Sequence, residues 1–272
     1  MDKSPNMLSQ VTPWDMVAEG YAETTMKLFR GYAEKAIELA NLSPQQHILD
    51  VACGPGTLAL LASEQVHAVQ AIDFSPAMVE LLTKTINSEA IENISVRCCD
   101  GQTLPFSGEI YDVAFSMFGL MFFPDRQRGY AEIYRTLKPG GRVLISSWAS
   151  VAESPALRTM YGVVKVINPD IPEPQIELES LESPEFFHKE LTEAGFKAVK
   201  IHRVTQHFPI ENIESFWQGM VKGSAPIVMM KNAMSQDVWQ EKEAAILDYL
   251  HTTLSAPPTS LSSDAWIGYG EK

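Results

Sequence analysis

The sequence predicts an α/β protein built on a doubly wound, mostly parallel sheet. Three stretches predict it. The run His47-Ile48-Leu49-Asp50-Val51 is short and apolar with one acid near its end; two glycines one residue apart, Gly54 and Gly56, follow, and then the apolar helical stretch Thr57 to Ala62. That is strand, tight turn, helix. From 47 to 148, short apolar runs alternate with capped, helix-periodic segments, the pattern of parallel strands joined by crossover helices. Leu137-Lys138-Pro139-Gly140-Gly141 then stops a helix, turns, and leads into a further apolar run ending at Trp148.

The elements follow in order. Thr12 is placed to cap a first helix with Pro13 at its first position, and the pattern through Met26, Phe29, Tyr32 and Ile37 predicts two helices over 12–41, broken near Gly20-Tyr21. After the glycine loop, Ala68 to Ile72 is a second strand ended by Asp73. Ser75 caps the next helix, with Pro76 at its first turn. Ile94 to Cys99 is a third strand and Tyr111 to Met117 a fourth. Asp125 caps a helix running to Leu137, and Val143 to Trp148 is a fifth strand. Beyond 150 the proline-rich segment 151–183 reads as a helix and a covering loop. Ser183-Pro184 opens a helix closed by Gly195, and Phe196 to Pro209 alternates as a strand. Residues 211–258 form a helical insert interrupted at Gly223-Ser224-Ala225-Pro226, with Trp239, Ile246, Leu250 and Leu254 on one stripe; Ala265 to Gly270 is a closing strand.

With 45% apolar residues the 272-residue chain can bury an ample core as a single domain. A net charge of −13 and the lack of a basic cluster argue against a nucleic-acid partner. No apolar run approaches the ~20 residues that span a bilayer, and the polar start Met1 to Gln10 is unlike a signal peptide, so a soluble cytoplasmic protein is expected. Cys53, Cys98 and Cys99 lack metal-ligand spacing; no metal site is expected, and all three read as buried small apolar residues.

Glycines at 54 and 56 let a ligand approach main-chain atoms, and the helix that follows favours an anionic group at its N-terminus. Gly-x-Gly-x-x-Ala alone also fits dinucleotide-binding folds, which leaves an NAD-dependent oxidoreductase as an alternative. Asp50 discriminates, because a carboxylate there would repel a pyrophosphate and attract a sulfonium or ammonium. An acid such as Asp73 at the end of the second strand, about 20 residues past the glycines, suits ribose hydroxyls. Ser116, Met117 and Phe118, at the end of the fourth strand, fall where ligands bind in open α/β sheets.

Leu49-Asp50-Val51-Ala52-Cys53-Gly54-Pro55-Gly56-Thr57 resembles the first motif of class I S-adenosylmethionine (SAM) dependent methyltransferases. Asp100-Gly101-Gln102-Thr103-Leu104-Pro105-Phe106 resembles that family's Asp-Ala-x-x-Leu-Pro-Phe segment, with Gly101 where alanine is commoner, and the Leu-Lys-Pro-Gly-Gly turn is shared as well. The nearest type is the quinone-biosynthesis C-methyltransferases. The resemblance implies a seven-stranded Rossmann-like sheet whose last strand is antiparallel. It places Asp50, Ala52, Gly54 and Gly56 around the cofactor, Asp100, Gly101 and Gln102 at the adenine, Phe74 and Met78 as its walls, and Tyr21, on an N-terminal lid, at the methionine end.

The activity implied is methyl transfer from SAM, leaving S-adenosylhomocysteine (SAH), to a small apolar or aromatic acceptor. The acceptor site is expected in 151–183 and 211–258, with Phe118, Phe122, Tyr161 and Trp217 as candidate contacts. Alignment of the acceptor supplies much of such a rate, and no residue is assigned as catalytic: His47 and His67 flank strands at the wrong end, and His207 and His251 lack partners at telling spacing. A non-catalytic SAM-binding protein is the second alternative.

Overall fold

The structure is a computed structural model and describes residues 6–174 and 180–272. In chain order it comprises α1 (Val11–Gly20), α2 (Met26–Ala40), β1 (His47–Val51), α3 (Thr57–Ser63), β2 (Ala68–Asp73), α4 (Pro76–Ser88), β3 (Ile94–Cys98), β4 (Tyr111–Met117), α5 (Arg126–Thr136) and β5 (Leu137–Trp148). There follow α6 (Pro155–Ile167), α7 (Pro184–Glu193), β6 (Lys197–Ile210), α8 (Ile213–Gly223), α9 (Ala225–Asn232), α10 (Gln236–Thr253) and β7 (Thr259–Glu271). The seven strands form one sheet in the order β3-β2-β1-β4-β5-β7-β6. Neighbours from β3 to β5 pair in parallel, as the alternation of strands and helices predicts, and β7 runs antiparallel between β5 and β6, as the family resemblance implies. Chain order reverses between β1 and β4, which opens a crevice at the carboxyl ends of those strands.

Alternation along the strands divides the core. Ile48 faces a layer made with Tyr32, Ala36, Leu58 and Ala62 of α2 and α3, while Leu49 and Val51 face Tyr130, Ile133 and Phe187 of α5 and α7. Each fully buried aliphatic side chain of this kind contributes about 1.5–3 kcal/mol. A third cluster lies outside the sheet, where Val163 of α6, Trp217 of α8, and Trp239, Ile246 and Leu250 of α10 pack together; the stripe read from the sequence is this core. Among the described residues no helix is long and apolar enough to cross a membrane.

Several local expectations are corrected. Thr12 does not cap α1, which begins at Val11 after Gln10 with no side-chain cap. Asp15 instead reaches the start of α4, accepting hydrogen bonds from Ser75 Oγ at 2.5 Å and the Ala77 amide at 3.3 Å, where the N-terminal end of a helix favours a carboxylate. The first two helices do not break at Gly20-Tyr21; residues 21–25 form one π-helical turn that carries the chain from α1 into α2. The insert has a second interruption, between α9 and α10. Of the cysteines only Cys53 is buried. Cys98 is exposed and Cys99 partly so, because β3 is an edge strand that its neighbours cover incompletely. Residues 175–179 of the expected cover segment lie outside the described residues.

Candidate active site

The carboxyl ends of β1 to β5 open into one cavity of about 940 Å3, with a chamber of about 40 Å3 against the glycine loop. After β1 the backbone enters left-handed conformation at Ala52 (φ 59°), Gly54 (φ 54°) and Gly56 (φ 100°). Gly56 ends this turn as the residue before α3, and a Cβ there would fall 2.4 Å from Leu82 Cδ1, so only glycine fits without displacing that side chain. Gly56 shapes the loop from behind and does not line the cavity; Ala52 and Gly54 do.

Asp73, at the end of β2, braces this turn. Its Oδ2 accepts the Gly54 amide at 2.8 Å and its Oδ1 the Ser75 amide at 2.9 Å, and it lines the cavity with Phe74 and Met78. Burial pushes its carboxyl up to about 6, with the backbone amides pulling the other way. Asp50 is 1% exposed and borders the small chamber, and its Oδ2 has no hydrogen-bond partner among the described residues. Burial first, and then the charge of Asp73, raise its carboxyl to about 7. A buried acceptor without a donor is costly, so this oxygen marks a place where a donor or a cation would gain.

Asp100 accepts the Gln102 amide at 2.8 Å, and Gln102 Oε1 accepts the Asp125 amide at 2.9 Å, which ties the loop after β3 to the start of α5. Asp100, Gly101 and Gln102 all line the cavity. A Cβ on Gly101 would lie 2.6 Å from Phe123 Cζ and 2.9 Å from Val51 Cγ1, so the glycine accommodates this chain's Phe123. Asp50, Asp73 and Asp100 thus stand at the ends of three adjacent strands.

Tyr21, on the π-helical turn, lines both the chamber and the cavity, and burial together with the charge of Asp73 raises its hydroxyl well above the usual tyrosine value. Met117 and Phe118 line both spaces too. Phe118 has φ 56°, strained for an aromatic residue, and stacks on Trp148 at 4.1 Å. Its amide donates to Ser146 Oγ at 2.9 Å, which helps hold that geometry. Phe122 lines the cavity against Trp14 at 5.4 Å.

Three candidates are placed elsewhere. Ser116 does not face the cavity: it is fully buried and its hydroxyl accepts the Leu120 amide at 3.2 Å, fixing the loop after β4. Trp217 is fully buried in the helical core, stacked with Trp239, its Nε1 donating to Glu243 Oε1 at 2.9 Å. Its neighbour Phe216, about 100° round the helix, lines the cavity instead. Tyr161 donates to the Pro172 carbonyl, while Ala156, Leu157 and Met160 of the same helix face inward. The sequence reading passed over Phe29, Trp148, Phe208 and Met160, which line the cavity. Trp148 ends a parallel strand, and the strand-end rule applied to Met117 would have found it.

Residues 48–141 match the family model described as a methyltransferase domain. The chain is 32% identical over 154 residues to the ubiquinone/menaquinone biosynthesis C-methyltransferase of Geotalea daltonii, an alignment covering 55% of this chain and 64% of that protein. A proposed methyltransferase of Bacillus halodurans superposes with a TM-score of 0.60 at 20% identity, over 88% of this chain and 98% of the other. The Haemonchus contortus phosphoethanolamine N-methyltransferase 2, solved with phosphomonomethylethanolamine and S-adenosylhomocysteine, superposes with a TM-score of 0.53 at 17% identity, over 89% and 52%. The matched domain and the sheet that carries it make the chain similar to the class I, Rossmann-like SAM-dependent methyltransferases. It spans between half and two thirds of the length of the curated relatives matched first. None of these relatives is an oxidoreductase.

Proposed function

We propose that this chain binds SAM across the ends of β1 to β4 and transfers its methyl group to a small apolar or aromatic acceptor held under α6 and α8. One observation carries the reading: of three carboxylates on adjacent strand ends, Asp73 and Asp100 line a cavity walled by aromatic and methionine side chains, and Asp50, with one buried oxygen lacking a donor, lines the chamber against its glycine loop. SAM supplies an electrophilic methyl group on a positively charged sulfur. The chain's own residues do the rest. Asp73 keeps a lone pair on each oxygen for ribose hydroxyls, and Asp100 with the Gly101 amide meets the adenine edge between Phe74 and Met78. Gly54 and Asp50 receive the amino-acid end, where the unpartnered Oδ2 gains a cationic donor. Tyr21, Phe29 and Phe118 separate the chamber from solvent and face the reacting centre, where aromatic rings favour a nearby cation. The acceptor is held close and dry, and placement supplies much of the rate.

Calorimetric titration with SAM, SAH and NADH tests the cofactor, and labelled SAM incubated with protein and a metabolite extract tests transfer. Binding of SAH but not NADH, with label appearing in a small molecule, is expected. Absence of SAH binding overturns the reading, and SAH binding with no label in any extract turns it towards a non-catalytic SAM-binding role.

A further inference from the structure

Beyond the carboxylate rim the cavity wall is formed by Leu28 of α2, Leu157 and Met160 of α6, Phe208 of β6, and Phe216 and Met220 of α8. The chain carries 21 Lys and Arg and 6 His, yet none of them lines the cavity among the described residues. Neighbouring cations are turned outward. Lys222, two residues past Met220, pairs with Glu23 at 3.0 Å on the surface, and Lys165, five past Met160, pairs with Glu173. The side chains that do bring charge to the main cavity are acids: Asp73 and Asp100 at the cofactor end and Glu211 at the exposed rim.

We infer that this wall is a subsite for an uncharged acceptor, a ring or chain bearing neither carboxylate, phosphate nor ammonium, held against Leu157, Met160, Phe216 and Met220. The inference rests on the methyltransferase reading and narrows its acceptor. An anionic group taken from water into this wall finds no cation and faces acids, so its desolvation goes uncompensated. An ammonium group at this wall has only the exposed Glu211 beside it, since Asp73 and Asp100 lie at the cofactor end, and it adjoins the proposed sulfonium. A neutral molecule loses nothing of this kind, and flexible methionines adapt to its outline.

Three probes sharing one ring system separate these cases at pH 7.5 with the protein saturated in SAH: 2-naphthol, 2-naphthoate and 2-naphthylmethylammonium. Trp14 and Trp148 line the cavity, and quenching of their fluorescence reports binding. Naphthol is expected to bind at least tenfold more tightly than either charged probe. Naphthoate or the ammonium probe binding as tightly as naphthol overturns the inference. Met160→Lys, and separately Met220→Lys, place a cation in the wall; each is expected to raise naphthoate affinity at least tenfold while SAH still titrates normally. In SAH-competent variants, no gain for naphthoate overturns the placement. The cofactor reading fails separately: wild-type protein that does not bind SAH but keeps the probe ranking loses the methyltransferase reading and retains the neutral subsite.

Discussion

Asp50 makes a prediction in which stability and ligand affinity move in opposite directions. Its carboxyl titrates near 7 in the folded chain, raised chiefly by burial, against the ordinary 3.8. A raised carboxyl pKa means the folded state holds a proton that the unfolded state has lost, so between pH 4 and pH 7 the contribution to stability falls as pH rises, and it is flat above. A shift of about 3 units corresponds to at most about 4 kcal/mol, at 1.36 kcal/mol per unit. Asp50→Asn removes the ionisation and keeps the shape. The variant and the wild type, both without ligand, should have similar denaturant midpoints near pH 4. By pH 8 the variant should be the more stable, by about 1–4 kcal/mol. The same variant should lose at least tenfold in SAH affinity at pH 8, because the group facing the chamber can no longer meet a cation. Urea melts of the ligand-free proteins from pH 4 to 8, with SAH titrations at each end, make the comparison. A variant less stable than wild type at pH 8 would refute the claim that this carboxylate is held at a cost to the fold.

Other expectations concern packing. Trp217→Ala should lower stability by about 3–5 kcal/mol and leave SAH affinity of the folded protein unchanged, since Trp217 belongs to the helical core; urea melts and calorimetry separate the two. Gly101→Ala should weaken SAH binding and cost about 1–3 kcal/mol through the collision with Phe123, and Phe123→Leu in the same chain should recover part of both. A Cβ built on Gly219 of α8 lies 3.9 Å from Thr24 Cβ on the π-helical turn, within disulfide range. Thr24→Cys with Gly219→Cys should therefore crosslink on oxidation, slow SAH release at least tenfold in stopped-flow, and recover on reduction; unchanged release would show that this contact does not control access.

Much of the sheet and its rim was legible because period and punctuation act locally. Asp73 could be placed at a strand end because Ser75-Pro76 must begin the next helix, and Asp125 caps α5 through the Arg128 amide as its position implies. The errors arise where a side chain had a choice of direction. Ser116 lies at the right strand end, but alternation turns its hydroxyl inward to the Leu120 amide. Trp217 and Phe216 are neighbours on one helix, and which of them meets solvent, core or cavity depends on where α10 packs, a contact separated from them by some twenty residues. Asp15 lies in α1 yet serves the start of α4, because a helix N-terminus attracts any carboxylate that tertiary packing brings near it.

That difference in legibility follows from how the cores are divided. The cofactor end is set by strand ends whose positions are fixed by the register of β1 with β2 and β4, so a one-residue slip would turn Ile48 and Leu49 to the wrong layers. The proposed acceptor wall hangs on a separate helical cluster packed among α6, α8 and α10. Changes to Met160, Phe216 or Met220 alter the cavity from the cap side while the Asp73 brace on Gly54 and Ser75 stays in place. If α6 and α8 carry the proposed acceptor wall, single substitutions there should change acceptor selectivity at little cost to SAH affinity. The reverse does not hold, because the loop carrying Gly54 is supported by the sheet core itself, and relaxing it disturbs Asp50, Asp73 and Leu82 together.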